Sequence, residues 1–144
     1  MDGIDRNILR ELATNGKLTH GQLADKVGLS LSSCQRRVKS LEQGGAITGY
    51  RASISPGLLG ENLVVFVGIN LERHARKDIQ AFQAEVVRLP MVKEVHHIAG
   101  AYDYLLKVAV EDMESYEDFH ADDLAAIPGI ARITSFVAMS TFKD

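Results

Sequence analysis

The chain has 144 residues, 46% of them hydrophobic, with one cysteine and a formal net charge of −3. That length allows one ordinary domain or two small ones with buried cores, and a lone cysteine excludes an intramolecular disulfide. The charge is uneven: residues 1–52 carry eight lysines and arginines against five acidic residues, a net of +3, and residues 53–144 carry eight against fourteen, a net of −6. Only the first part is therefore expected to meet a polyanion.

No stretch approaches the roughly 18 unbroken apolar residues of a membrane span. The opening, with Asp2, Asp5 and Arg6, leaves no apolar core for a signal peptide. A cytoplasmic protein without membrane contact is the expectation.

Ile4, Ile8, Leu9 and Leu12 recur at helical spacing, with Asp2 as the N-cap and Asn15-Gly16 as the stop. Thr19 followed three residues later by Gln22 has the pattern of a capping box, in which side chain and backbone satisfy each other across the first turn. It opens a short helix with Leu23 and Val27 on its apolar side, ended by Gly28. Ser30 caps a third helix running to about Gln43, with Gly44-Gly45 as its stop. Two short helices joined by Gly28-Leu29-Ser30 predict a helix-turn-helix.

On the third helix, Leu31, Cys34, Val38 and Leu41 form one apolar stripe. Arg36 lies almost opposite, flanked by Ser32, Lys39, Ser40 and Gln43 and bordered by Ser33, Gln35 and Arg37. Short hydroxyls, an amide and long cations suit a major groove, where Arg bonds guanine bidentately and Gln reads adenine. A solvated helix face is the plain alternative for one isolated helix; three helices in this order favour double-stranded DNA as the partner. Ala46 to Ile54 alternates as a short β-wing, placing Tyr50 and Arg51 near the phosphate backbone. The expected DNA contacts are Ser30, Ser32, Ser33, Gln35, Arg36, Arg37, Lys39 and Arg51.

Ser55-Pro56-Gly57 breaks the pattern. This predicts a DNA-binding domain at 1–50, a linker at 51–62 and a second domain at 63–144. Leu63 to Leu71 is a nearly continuous apolar run of strand character. A helix is predicted at about 76–89, strands at 92–99 and 102–110, a helix at 113–127 and a strand from Ile130 to Phe142. Leu89-Pro90-Met91-Val92 and Ile127-Pro128-Gly129-Ile130 repeat a helix stop followed by a strand. The order β-α-β-β-α-β predicts a ferredoxin-like split βαβ, an antiparallel sheet with both helices on one face. Strands apolar on both faces predict a second subunit as cover for the other.

The histidines do not group: His96 and His97 point to opposite faces of one strand, and His20, His74 and His120 lie in separate elements. Cys34, on the apolar stripe, reads as a buried structural thiol. Glu117-Asp118 and Asp122-Asp123 read as a solvated acidic face. There is no phosphate-cradling glycine motif and no nucleophile elbow, so neither metal, cofactor nor enzyme activity is expected. A stand-alone metabolite-binding or small catalytic ferredoxin-like protein, with the first helices serving assembly, is the rival reading.

Several segments in order resemble the Lrp/AsnC (feast/famine) family of transcriptional regulators: Asp2-x-x-Asp5-x-x-Ile8-Leu9, Leu23 to Ser30, Cys34 with Arg37-Val38 and Leu41-Glu42, Gly45-x-Ile47-x-Gly49-Tyr50, and Gly100-Ala101-Tyr102-Asp103-Tyr104. The resemblance covers nearly the whole chain. It implies an α+β protein, an N-terminal winged helix-turn-helix joined to a C-terminal ferredoxin-like domain often called RAM. It further implies dimers that build tetramers or octamers, and a small effector, commonly an amino acid, near the loop Gly100, Ala101, Tyr102, Asp103 and Tyr104. Gly100 permits close approach of a ligand, and Asp103 can pair with an α-ammonium group. A tight turn packed by Tyr102 and Tyr104 is the plain alternative. Thr134 and Ser140, expected on one face of the last strand, are further candidate contacts. The chain departs from the family where Ala101 replaces a frequent acidic residue and Leu31 a frequent proline, which bear on effector identity and helix entry respectively.

Overall fold

The computed structural model describes residues 1–143; Asp144, the last residue of the predicted second domain, lies outside the described residues. The chain divides into two compact units, one from Met1 to Ser53 and one from Ile54 onward.

The first unit is three helices, α1 (Gly3–Thr14), α2 (His20–Val27) and α3 (Leu31–Gln43). Each start is fixed by a side-chain cap that satisfies an otherwise orphaned backbone N–H. Asp2 accepts from the Asp5 N–H while Asp5 accepts from that of Asp2. Thr19 and Gln22 form the same reciprocal pair, and Ser30 accepts from Ser33. Gly28 caps α2 at φ 69°, a left-handed conformation that only glycine adopts without strain. Ile8, Leu23, Ala24, Cys34, Val38 and Leu41 form the core.

Two expectations fail in this unit. Leu31, placed on the apolar stripe, is 52% exposed; at the first position of α3 it projects beyond the core. Ala46–Ile54 forms no strand. Ile47 packs against the core and its N–H bonds the Leu41 carbonyl, but no second strand answers this segment, and an unpaired strand does not hold.

The second unit opens with a 3₁₀ turn, Pro56–Leu59, inside the predicted linker. It continues as β1 (Leu63–Leu71), α4 (Arg76–Val86), β2 (Val92–His97), β3 (Tyr104–Val110), α5 (Met113–Asp118) and β4 (Ile130–Val137). The sheet order is β2-β3-β1-β4, antiparallel throughout, which is the ferredoxin-like arrangement. Val65, Val67, Ile69 and Leu71 of β1 and Tyr104, Leu106, Val108 and Val110 of β3 bury one face against Phe82, Val86, Tyr116, Phe119, Leu124 and Ile127. Full burial of each large apolar side chain contributes about 1.5–3 kcal/mol.

Five element ends differ from expectation: β2 stops at His97 rather than 99, β3 begins at Tyr104 rather than 102, and the ends of both helices and of the last strand also shift. The first helix stops at Val86. The second gives way after Asp118 to wider π-type turns over Phe119–Leu124. The last strand stops at Val137 because its partner runs out: Val65 pairs with Val137, the Ala138 N–H reaches the Val64 carbonyl, and β1 begins at Leu63. Thr134 and Ser140 therefore do not share a strand face.

Candidate DNA-reading face and effector loop

The burial of Cys34, Val38 and Leu41 turns the opposite side of α3 outward, leaving Ser32, Gln35, Arg36, Lys39, Ser40 and Gln43 exposed. Among the described residues no salt bridge engages Arg36 or Lys39. Ser30 is exposed, but its hydroxyl serves the cap and lies 3.4 Å from that of Ser32; Ser33 is half-buried. Arg51 is exposed in the extended segment after α3, next to Tyr50, whose hydroxyl donates to Glu42 at 2.8 Å.

Arg37 does something else. Its guanidinium donates to Asp2 and to Asp5, both at 2.8 Å, tying α3 to the first turn of α1. The two carboxylates thus serve a capping box and an ion pair together. The capping N–H bonds, followed by Arg37, hold both carboxyls below the usual aspartate range, and the two carboxylates raise Arg37. Burial pushes the Cys34 thiol up, away from the thiolate form that reactivity requires.

The loop between β2 and β3 is built around Asp103. Its backbone N–H bonds the Ile69 carbonyl and its carbonyl accepts from Ile98. Its carboxylate accepts from the Leu71 N–H at 2.8 Å and lies 2.9 Å from His74 Nε2. The Leu71 N–H first and His74 second keep the carboxyl below its usual range. The side chain nevertheless stays 26% exposed, so a ligand can reach it.

Ala101 is exposed, and its carbonyl accepts from Asn70 Nδ2 at 2.9 Å. The Tyr102 ring lies on Gly68, where an added Cβ would stand 2.7 Å from the ring, and meets Phe136 edge-on at 6.0 Å between centroids. Thr134 pairs with Gly68 across the strands. Ala101, Tyr102, Asp103 and Thr134 are thus brought to one end of the sheet. Tyr104 is not: it is 1% exposed, packs on Phe82 and accepts from Gln83. Gly100 is exposed in the loop, and Ser140 lies beyond the end of β4.

Sequence reasoning missed Gly68, Asn70 and His74. Only Gly68 carried a signal, as a lone glycine in an apolar strand run, which marks close approach of another group. Histidines 96 and 97 also found local roles, His96 bonding Glu94 and His97 stacking on Tyr104.

A three-helix unit with an outward cationic face on its third helix, followed by a split βαβ sheet with a polar loop, is the architecture of a DNA-binding regulator with a ligand-binding domain. Residues 1–48 match the winged helix-turn-helix DNA-binding family, and residues 64–144 match the Lrp/AsnC ligand-binding domain. The leucine-responsive regulatory protein of Salmonella typhimurium is 40% identical over 144 residues, covering 100% of this chain and 88% of that one. An AsnC family transcriptional regulator from Agrobacterium tumefaciens superposes with a TM-score of 0.95 at 35% identity, covering 100% of this chain and 94% of that one. A transcriptional regulator from Neisseria meningitidis, solved as its L-methionine complex, gives 0.94 at 33% identity, with 100% and 93% covered. The chain belongs to the Lrp/AsnC family.

Proposed function

We propose that residues 1–50 read a specific duplex, 51–62 connect, and 63–144 bind an α-amino acid and assemble copies of the chain into dimers that build tetramers or octamers. The chain acts as a cytoplasmic transcription regulator and not as an enzyme. The observation that carries this reading is the outward face of α3, where Gln35, Arg36 and Lys39 stand exposed on a helix whose opposite side is locked into the core. Such a face offers bidentate donors for guanine and an amide for adenine, with cations for phosphate. Ser32 and Arg51 add contacts; Arg37, held by Asp2 and Asp5, orients the helix instead.

The amino-acid effector follows from the leucine-responsive relatives and the methionine complex, together with an ionised, reachable Asp103. An α-ammonium group takes the Asp103 carboxylate, while Ala101, Tyr102 and Thr134 surround it. Self-assembly is supported by Phe66 and Phe136, paired in register on the sheet face away from the helices and 39% and 46% exposed.

Selection of bound fragments from a genomic pool, with and without each common amino acid, tests the function. Enrichment of one sequence family that an amino acid alters supports it. Equal retention of all duplexes would refute it.

A further inference from the structure

His74 sits where nothing in the DNA-binding or packing role requires a histidine. It lies between the end of β1 and the Ala75 cap of α4, with its side chain 62% exposed, and its one polar contact among the described residues is Asp103. Both groups on the Asp103 carboxylate share one oxygen, Oδ2: the Leu71 N–H, which is fixed in the strand, and His74 Nε2, which is not. Oδ1 has no hydrogen-bond partner among the described residues. An incoming cation can therefore approach Oδ1, but the charge it meets is set by His74. A protonated imidazole forms a charge-assisted pair with the carboxylate and repels an ammonium; a neutral one leaves the negative charge available.

Other charged groups surround the pair. On the same loop and the first turn of α4 these are Glu72, Arg73, Arg76, Lys77 and Asp78. Asp103 itself remains ionised at neutral pH, because the Leu71 N–H holds it low. From β2, His97 also acts on Asp103 through its charge, but its ring is stacked on Tyr104 at 4.9 Å and makes no bond to the carboxylate.

We infer that His74 competes with the α-ammonium group of the effector for the charge of Asp103, so that the loop binds an α-amino acid more tightly when His74 is unprotonated. This rests on the reading of the Ala101–Asp103 loop as the effector site. The proton balance is explicit: an ammonium at Oδ1 repels an imidazolium at Oδ2, and the proton that His74 then gives up passes to solvent.

Calorimetric titration of the full-length chain with each of the twenty common L-amino acids, at pH 5.5, 6.5 and 8.0, tests both statements. The expected result is binding of at least one, about tenfold tighter at pH 8.0 than at 5.5, a window that spans the ordinary charge change of an imidazole. At pH 6.5 the heat should vary with the ionisation enthalpy of the buffer, reporting proton release. H74Q, neutral throughout, should reduce the pH effect to less than about twofold and abolish the buffer dependence, whereas H97Q should keep both. Binding of equal strength at every pH, or a pH effect that survives in H74Q, overturns the role of His74 and leaves the effector site standing. If none of the twenty binds at any pH, the effector reading falls and this inference falls with it.

Discussion

Arg36 and Arg37 are about 100° apart around α3, which separates an outward guanidinium in no salt bridge among the described residues from one held by Asp2 and Asp5. The consequences of removing them differ. Arg36→Ala should weaken specific duplex binding by about 1–3 kcal/mol, roughly tenfold to a hundredfold, and relax preference at one base pair. Competition with single-base variants of the selected site measures both, and unchanged preference would show that this helix does not read bases. Arg37→Ala should act through folding. Asp2 and Asp5 have folded carboxyls below the usual aspartate value of about 3.9. Their stabilising effect is complete above that value and is lost as pH falls through the lower folded values. Thermal melting of the N-terminal unit should therefore drop as pH falls below the usual aspartate value, and Arg37→Ala should flatten part of that drop. Part should remain, because the capping N–H bonds outrank Arg37 as the cause. Identical acid profiles in the two proteins would show that solvent screens the pair to nothing.

At the level of elements, what could be read from the sequence depended on whether its cause was local. The three helices announce themselves because each cap sits at a fixed offset from its first turn, and β1 because one apolar run of nine residues is long enough to name a buried strand. The wing, the end of β4 and the working state of the site are decided elsewhere in the chain. A wing strand needs a partner the sequence pattern does not name, and β4 stops where β1 begins. The outward face of α3 was legible from periodicity alone. The ties that Arg37 and Asp103 make, to partners 32 and 35 and 29 and 32 residues away, have no periodic signature. Gly68 lies between these cases. A methyl there would stand 2.7 Å from the Cγ of Tyr102, an atom near the backbone that cannot swing aside cheaply. Gly68→Ala should therefore cost the C-terminal unit about 1–3 kcal/mol by overpacking. Tyr102→Ala in the same chain should recover most of it, a coupling that a double-mutant cycle in denaturant measures. Additive losses would mean that the ring and the glycine are not in contact.

For the molecule as a whole, the sheet has one face closed by α4 and α5 and one face that its own chain leaves partly open. On the open face Phe66 and Phe136 adjoin in register, with Lys107 beside Phe66 on β3. Phenylalanine carries about 150–250 Å² of surface, and burial contributes about 25 cal/mol per Å². Covering the exposed parts of two such rings in each of two copies is therefore worth several kcal/mol, before the cost of association. Phe66→Glu is the sharpest test. The new carboxylate would have Lys107 directly across the strand pair, a favourable opposite-charge neighbour, so the fold should survive while the face becomes charged. Sedimentation at micromolar concentration should show the wild-type chain as a dimer or larger and the variant as a folded monomer. Duplex binding should fall along with assembly, since two helix-turn-helix units on one dimer address two half-sites at once, whereas the isolated contact of α3 with DNA is unchanged. A variant that sediments like the wild type, or a wild type that is itself monomeric, would remove the sheet face as the assembly surface and leave Phe66 and Phe136 without an assigned partner.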